Sequence, residues 1–216
     1  MKILNLYACL GGNRYKWDEV AKEAGIEIEV TAVELDPVLA DMYQDRFPND
    51  TVVVADAHQY LIDHVQDGWD FIWTSPPCPS HSRINTDGQQ KPRYPDMKLY
   101  EEVIMLSNNW FKGKYVVENV IPYYTPLIPA NKRGRHLYWT NFNLPNVLSE
   151  RKCKIGGLNE VKRLCEFHDY DFYTYKGKQP TKKIARNLVD YEAGKRIFET
   201  AIGIIRKENP KQTELF

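Results

Sequence analysis

Met1-Lys2-Ile3-Leu4-Asn5-Leu6-Tyr7-Ala8-Cys9-Leu10-Gly11-Gly12 opens the chain and decides how the rest is read. The apolar run from Lys2 to Ala8 reads as a buried strand. A glycine pair just past it leads into a polar helix from Trp17 to Ala24, ended by Gly25. The pattern then repeats. Glu27 to Leu35 alternates as a strand, and Asp36-Pro37 starts a helix running to Arg46. Thr51 to Ala55 is a third strand, His58 to Val65 a helix, and Trp69 to Ser75 a fourth strand. This alternation predicts an α/β fold with a doubly wound, mostly parallel sheet. Ligands of such sheets sit at the carboxyl ends of the strands, where Gly11, Glu34, Asp56 and Cys78 all fall.

Further along, Pro79 to Asp96 is rich in Ser, Asn, Gly, Gln and Pro, and reads as a long loop of the kind that closes over a site. Met97 to Lys112 is a helix, Tyr115 to Glu118 a fifth strand, and His136 to Phe142 an aromatic strand. From Asn143 to about Lys183 regularity fades into a small irregular lobe. Asp190 to Lys207 reads as a closing helix, with Ala193, Ile197 and Ala201 on one face. The expected organisation is a main domain over 1–142 and 185–208, a lobe over 143–184, and a polar tail over 209–216.

With 216 residues, 43% of them hydrophobic, the chain can bury one substantial core. No apolar run approaches the roughly 20 residues of a membrane span, and the first residues enter a strand rather than a signal peptide, so a cytoplasmic protein without a membrane partner is expected. Four scattered cysteines, Cys9, Cys78, Cys153 and Cys165, point to reduced thiols. Cys153, Cys165 and His168 lack a Cys-x-x-Cys pair and a fourth ligand, so no metal is expected. The net charge of zero hides an asymmetry. Residues 1–108 hold 9 Lys and Arg against 18 Asp and Glu, whereas residues 109–216 hold 20 against 11. A basic half is what a polyanion-binding enzyme would need, and a solvated charged face is the plain alternative.

Thr74-Ser75-Pro76-Pro77-Cys78 and, further on, Val116-Val117-Glu118-Asn119-Val120 carry the chemistry. Carbon 5 of a cytosine is a poor nucleophile, but a thiolate adding to carbon 6 makes the ring enamine-like and able to take a methyl group at carbon 5. Cys78 would supply the thiolate. Charge then moves toward ring nitrogen 3, where the Glu118 carboxyl could donate a proton or a short hydrogen bond. Taken singly, each is as easily a packed thiol or a strand-end carboxylate; the two strings in this order favour the chemistry. The donor would be S-adenosylmethionine. Gly11-Gly12 lets backbone approach its methionine portion, Glu34 would accept from both ribose hydroxyls, Leu35 would pack on adenine, and Asp56 would accept from the adenine amino group. For Glu34 a strand-end charge, and for Asp56 a helix cap, are the plainer readings. A dinucleotide is the rival cofactor, but a third spaced glycine is missing.

On these residues the chain resembles the cytosine-5 DNA methyltransferases, particularly the compact versions carried by bacteriophages. Leu6 to Gly12 is similar to the first, cofactor-binding motif, Pro76-Pro77-Cys78 to the nucleophile motif, and Glu118-Asn119-Val120 to the glutamate motif. Asn131-Lys132-Arg133-Gly134-Arg135 is similar to the paired-arginine motif and Arg186-Asn187-Leu188-Val189 to the last motif. The resemblance implies a Rossmann-like methyltransferase fold and a cytosine flipped out of duplex DNA. It implies that Arg135 touches the cytosine carbonyl and steadies Glu118, and that Tyr7, Pro76 and Asn187 join the cofactor contacts. DNA contacts would come from Ser80, Ser82, Arg83, Arg133, Lys182 and Lys183. Genome protection or partnership with a restriction nuclease is the implied setting. Cys9, Pro79, Asn131 and Arg186 depart from the family pattern. The short lobe implies either a short target sequence or help from a second subunit, a homodimer. Three rivals exist. Amino-group methyltransferases share Ser-Pro-Pro but follow it with an aromatic residue, a transfer-RNA methyltransferase uses the same catalytic pair, and a regulator could bind DNA without catalysis.

Overall fold

A computed structural model of the chain describes residues 1–83, 91 and 93–206. Its strands are β1 (Lys2–Leu6), β2 (Glu29–Glu34), β3 (Thr51–Val54), β4 (Phe71–Thr74), β5 (Lys114–Val120), β6 (Asn131–Arg133) and β7 (His136–Thr140). They form one sheet in the order β3-β2-β1-β4-β5-β7-β6. The first five are parallel, β7 lies antiparallel to β5, and β6 antiparallel to β7. The mostly parallel α/β fold expected from the sequence is the fold observed. The helices are α1 (Trp17–Ala24), α2 (Pro37–Arg46), α3 (Ala57–His64), α4 (Lys98–Ser107), α5 (Glu160–His168), α6 (Thr181–Asn187) and α7 (Tyr191–Ala201).

Alternation along the strands feeds two cores. Leu4 and Leu6 of β1, Ile72 of β4 and Val117 of β5 pack with Leu61 of α3 and Leu99 and Val103 of α4. Ile3, Phe71, Trp73 and Val116 point the other way, onto Trp17 of α1 and Ile197 and Phe198 of α7. The order reverses at β1, which lies between β2 and β4, and this opens a crevice at the carboxyl ends. Local chemistry fixes where the helices begin. Asp36 accepts from the Val38 amide ahead of Pro37, and Asp56 accepts from the Gln59 amide at the start of α3.

The second half departs from expectation. Three polar residues form β6, paired with β7 across Gly134, where the sequence showed only a motif. The lobe is more ordered than its composition indicates, containing α5, a 3-10 turn at Phe172–Thr174 and the start of α6. No capping side chain marks the start of α5, and Asn159 before it is left-handed, so the usual start signal is absent. Leu164, Phe172 and Ile184 pack against Leu10 and Leu39, so the lobe shares a core with the loop after β1. The α4 helix stops at Ser107 rather than Lys112. The final helix stops at Ala201, ahead of the left-handed Gly203, rather than at Lys207. Part of the Pro79 to Asp96 loop and the polar tail lie outside the described residues. Among the described residues no helix is long and apolar enough to cross a membrane.

Candidate active site

One cavity of about 1230 Å³ occupies the crevice. That exceeds the roughly 300–1,000 Å³ typical of a single small-molecule site, leaving room for two ligands side by side. Its walls divide by element. The ends of β1 and β2 and the start of α3 contribute Tyr7, Gly12, Glu34, Leu35 and Asp56. The turn after β4 contributes Pro76 and Cys78, and the ends of β5 and β6 with the start of β7 contribute Glu118, Arg133, Arg135 and His136. The lobe side adds Lys183 and Asn187.

The loop after β1 is tightly wound. Tyr7 and Cys9 have φ values of 56 and 47, a region that costs a side-chain-bearing residue about 1–2 kcal/mol. Cys9, which stands where the resembling family carries a glycine, bears that cost, and its amide is held by a 2.8 Å bond to Glu34 Oε2. Gly11 does not line the cavity. A Cβ there would lie 2.3 Å from the Phe47 ring, so its missing side chain makes room for Phe47 and Tyr43 rather than for a ligand. Gly12 lines the cavity, yet a Cβ would first meet the Val189 carbonyl at 2.4 Å, so this glycine joins the loop to the segment after α6. Glu34 accepts from the amides of Cys9 and, at 3.0 Å, Asp36. Asp56 caps α3, and the Gln59 amide that it accepts from holds its carboxyl below the usual range.

At the other end, Asn119 joins the two chemical strings. Its buried Nδ2 donates to the Pro76 carbonyl at 2.8 Å, and its Oδ1 accepts from the Val120 amide. The turn bearing Cys78 is thereby pinned to the strand bearing Glu118. Burial, then the negative charge of Glu118, push the Cys78 thiol above its ordinary value, while Lys183 pulls it down. Glu118 is only 8% exposed, and the His136 ring lies beside it, Nε2 to Oε1 at 3.6 Å. Arg135, expected to steady Glu118, is exposed on the cavity rim and forms no ion pair among the described residues. Arg133, expected on DNA, bonds the carbonyls of Leu144 and Pro145, bracing the hairpin.

Of the remaining residues expected on DNA, Ser80 accepts from the Asp96 amide, Ser82 pairs with Pro122 in an isolated bridge, and Arg83 donates to the Pro122 carbonyl. Lys182 lies 4.0 Å from Glu160, and Lys183 lines the cavity. Arg186, another departure from the family, forks onto Glu160 with bonds of 2.7 and 2.8 Å and ties α6 to α5. Sequence reasoning missed His136, and it missed Glu102, which is fully buried behind the cavity wall. One signal was present: Glu102 falls on the apolar stripe of α4 with Leu99, Val103 and Leu106, where a charge needs a reason.

A model of the C-5 cytosine-specific DNA methylase family matches residues 1–121. No curated protein matches the chain. Among solved structures, the Entamoeba histolytica methyltransferase EhMeth is similar at TM-score 0.55 and 8% identity, over 96% of this chain and 99% of that one; this likeness bears on the fold. A mutant of Spodoptera frugiperda DNMT2 is 26% identical over 55% of this chain and 35% of its own, with a TM-score of 0.38. S. pombe Dnmt2 is 21% identical over 56% and 36%, with a TM-score of 0.39. The chain thus spans about a third of the length of either Dnmt2. The family match covers more than half of the chain and takes in both Pro76-Pro77-Cys78 and Glu118-Asn119-Val120, so this protein belongs to the C-5 cytosine-specific DNA methylase family.

Proposed function

We propose that this chain methylates carbon 5 of cytosine in DNA, through a transient bond between Cys78 and a base turned out of its stack. One observation carries the reading: Cys78 and Glu118 face a single cavity and are linked through the Asn119 bond to the Pro76 carbonyl. S-adenosylmethionine is the cofactor. The residues present fit it. Leu35 is 65% exposed at the cavity edge, an apolar surface suited to a purine face, and the Glu34 carboxylate has lone pairs left for a ribose. Glu34, Leu35, Asp56, Tyr7, Gly12, Pro76 and Asn187 would hold it. When bound it supplies an electrophilic methyl group.

The chain's own residues prepare the base. The Cys78 thiolate adds to carbon 6, and the displaced electron pair moves toward nitrogen 3. Glu118 meets that charge with a proton or a short hydrogen bond. Carbon 5 becomes nucleophilic and takes the methyl group; its proton then leaves to solvent, the C–H electron pair re-forms the 5,6 double bond, and the Cys78 sulfur leaves carbon 6 as thiolate while nitrogen 3 returns any proton to Glu118. Because burial and Glu118 raise the thiol, the thiolate forms as positive charge of the cavity is drawn toward it on substrate binding. Lys183, already lowering the thiol, and Arg135 on the rim are the cations at hand.

Bisulfite sequencing of DNA from cells expressing the protein tests this. The parent chain is expected to leave 5-methylcytosine at a fixed sequence and the Cys78→Ala variant none. Methylation by the variant, or methylation confined to RNA in a parallel treatment, would sink the proposal.

A further inference from the structure

We infer that Glu102 is a positioning residue for the methyl-donor end of the cavity, acting from behind the wall. This rests on the function proposed above. Glu102 is 0% exposed and does not line the cavity. Three side chains converge on its carboxylate. The Tyr7 hydroxyl donates to Oε1 at 2.6 Å, Thr74 Oγ1 donates to Oε2 at 2.5 Å, and His58 Nδ1 lies 3.0 Å from Oε1. Each belongs to a different stretch of wall. Tyr7 ends β1 and lines the cavity itself. Thr74 ends β4 between the lining residues Trp73 and Ser75, and His58 follows the lining residues Asp56 and Ala57 at the start of α3.

A carboxylate in an apolar layer survives only where donors satisfy it. These three do, and in return it fixes all three segments in one arrangement. Tyr7 needs this most, since its left-handed backbone persists only where the surroundings over-determine it. Seating α4 does not by itself call for a charge, because Leu99, Val103 and Leu106 already bury that face. The carboxylate's distinctive work is therefore on the wall. Its loss should weaken donor binding more than it slows a saturated enzyme.

The test uses the full chain and calorimetric titration with S-adenosylhomocysteine, the demethylated product, alongside thermal melting. Glu102→Gln is expected to weaken binding about 10- to 100-fold, the loss of charge-assisted hydrogen bonding. Tyr7→Phe, which keeps the ring and removes only the hydroxyl, is expected to weaken it about 3- to 10-fold, and the double variant should bind about as Glu102→Gln alone, since the groups share one network. For Glu102→Gln, whose side chain does not line the cavity, the rate at saturating donor should stay within about 3-fold of the parent, placing the effect in KM. A Glu102→Gln protein that melts lower yet binds the product like the parent would reduce Glu102 to a helix anchor and overturn the inference. If that variant does not fold, Tyr7→Phe decides, and parental affinity there overturns it equally. A parent chain that fails to bind the product overturns the methyl-transfer reading itself.

Discussion

The two ends of the sheet are held together by different forces. In β1, β2, β4 and β5 the strands are largely apolar and buried, with β3 as the half-exposed edge, and the helices lie against them through aliphatic and aromatic side chains. Beyond β5 arginines add polar joints to an apolar packing that includes Leu164, Phe172 and Ile184. Arg133 braces the β6–β7 hairpin, and Arg151 reaches Asp190 while lying over the Phe167 and Tyr191 rings. Arg163 bonds the carbonyls of Gly156 and Leu158, and Arg186 forks onto Glu160. The apolar end presents Cys78 and Glu118 on a rigid frame. The polar end spends much of its positive charge on itself.

If that division holds, a substitution at the apolar end should remove turnover and leave nucleic-acid affinity alone. Glu118→Gln keeps the shape and the backbone pairing of β5 but loses the acid. Turnover is expected to fall by about 10²- to 10⁴-fold, the usual worth of a positioned proton donor, with DNA binding in a filter or anisotropy assay within about 3-fold of the parent. A parallel loss of both would mean that Glu118 is part of the binding surface and that the ends are not separable.

The same division explains what was legible in the sequence. Buried parallel strands announce themselves as apolar runs, and the caps Asp36 and Asp56 sit where the sequence puts them, so five strands and their helices could be read directly. Bounds there differ by a few residues. Cys78 and Glu118 were legible because their neighbours form recognisable strings. Arginine-to-carbonyl bonds leave no periodicity, and β6 has no apolar side chain, so α5, β6 and the brace at Arg133 were not readable. The reason for Gly11 was hidden too: only the fold brings Tyr43 and Phe47 against it. His136 escaped because a histidine beside a paired-arginine string carries no signal of the carboxylate that β5 places diagonally across, two residues from its pairing partner Val120.

Acid should expose the polar end first. His168, on α5, is buried, and desolvation, then Arg151 and Arg46, lower its pKa to about 4. Unfolded, it would take a proton near 6.5. Between those values the unfolded chain binds more protons, so stability falls as pH drops through that window, by on the order of 3 kcal/mol at most. His58 carries the opposite sign: Glu102 raises its pKa, so its contribution is complete below about 6.5 and fades as pH rises through the folded value. Together they place a maximum in the melting midpoint near pH 6.5. His168→Phe should flatten the acid side of that curve. An unchanged slope below pH 6.5 would remove His168 as its cause.

The fork between α5 and α6 gives a smaller effect. Arg186→Ala, which keeps the helix propensity of α6, strips Glu160 of its close partner, leaving Lys182 at 4.0 Å. Because the Arg186 side chain is 44% exposed, solvent screens much of the pair, and the midpoint is expected to fall by only a few degrees. The loss should vanish in a Glu160→Gln background. A loss that persists there would show that Arg186 acts through packing rather than through the ion pair.

The smallest effect per residue concerns what the remaining positive charge does. With Arg133, Arg151, Arg163 and Arg186 engaged internally, the charge free to meet phosphates includes Arg135 and the exposed lobe lysines Lys152, Lys154, Lys176, Lys178 and Lys183. Each phosphate neutralised releases counterions, so the logarithm of the binding constant should fall with the logarithm of salt concentration, by about 0.9 per contact on duplex DNA. Replacing one of these lysines with alanine should reduce the slope by up to about 1 and weaken binding evenly across sequences. Replacing Arg163 should leave the slope unchanged while lowering the melting midpoint, because its guanidinium is taken by carbonyls of its own lobe. Equal slopes for the lysine and arginine variants would mean that the lobe meets DNA with its braces as well as its free charges, and the separation of structural from binding charge would fail.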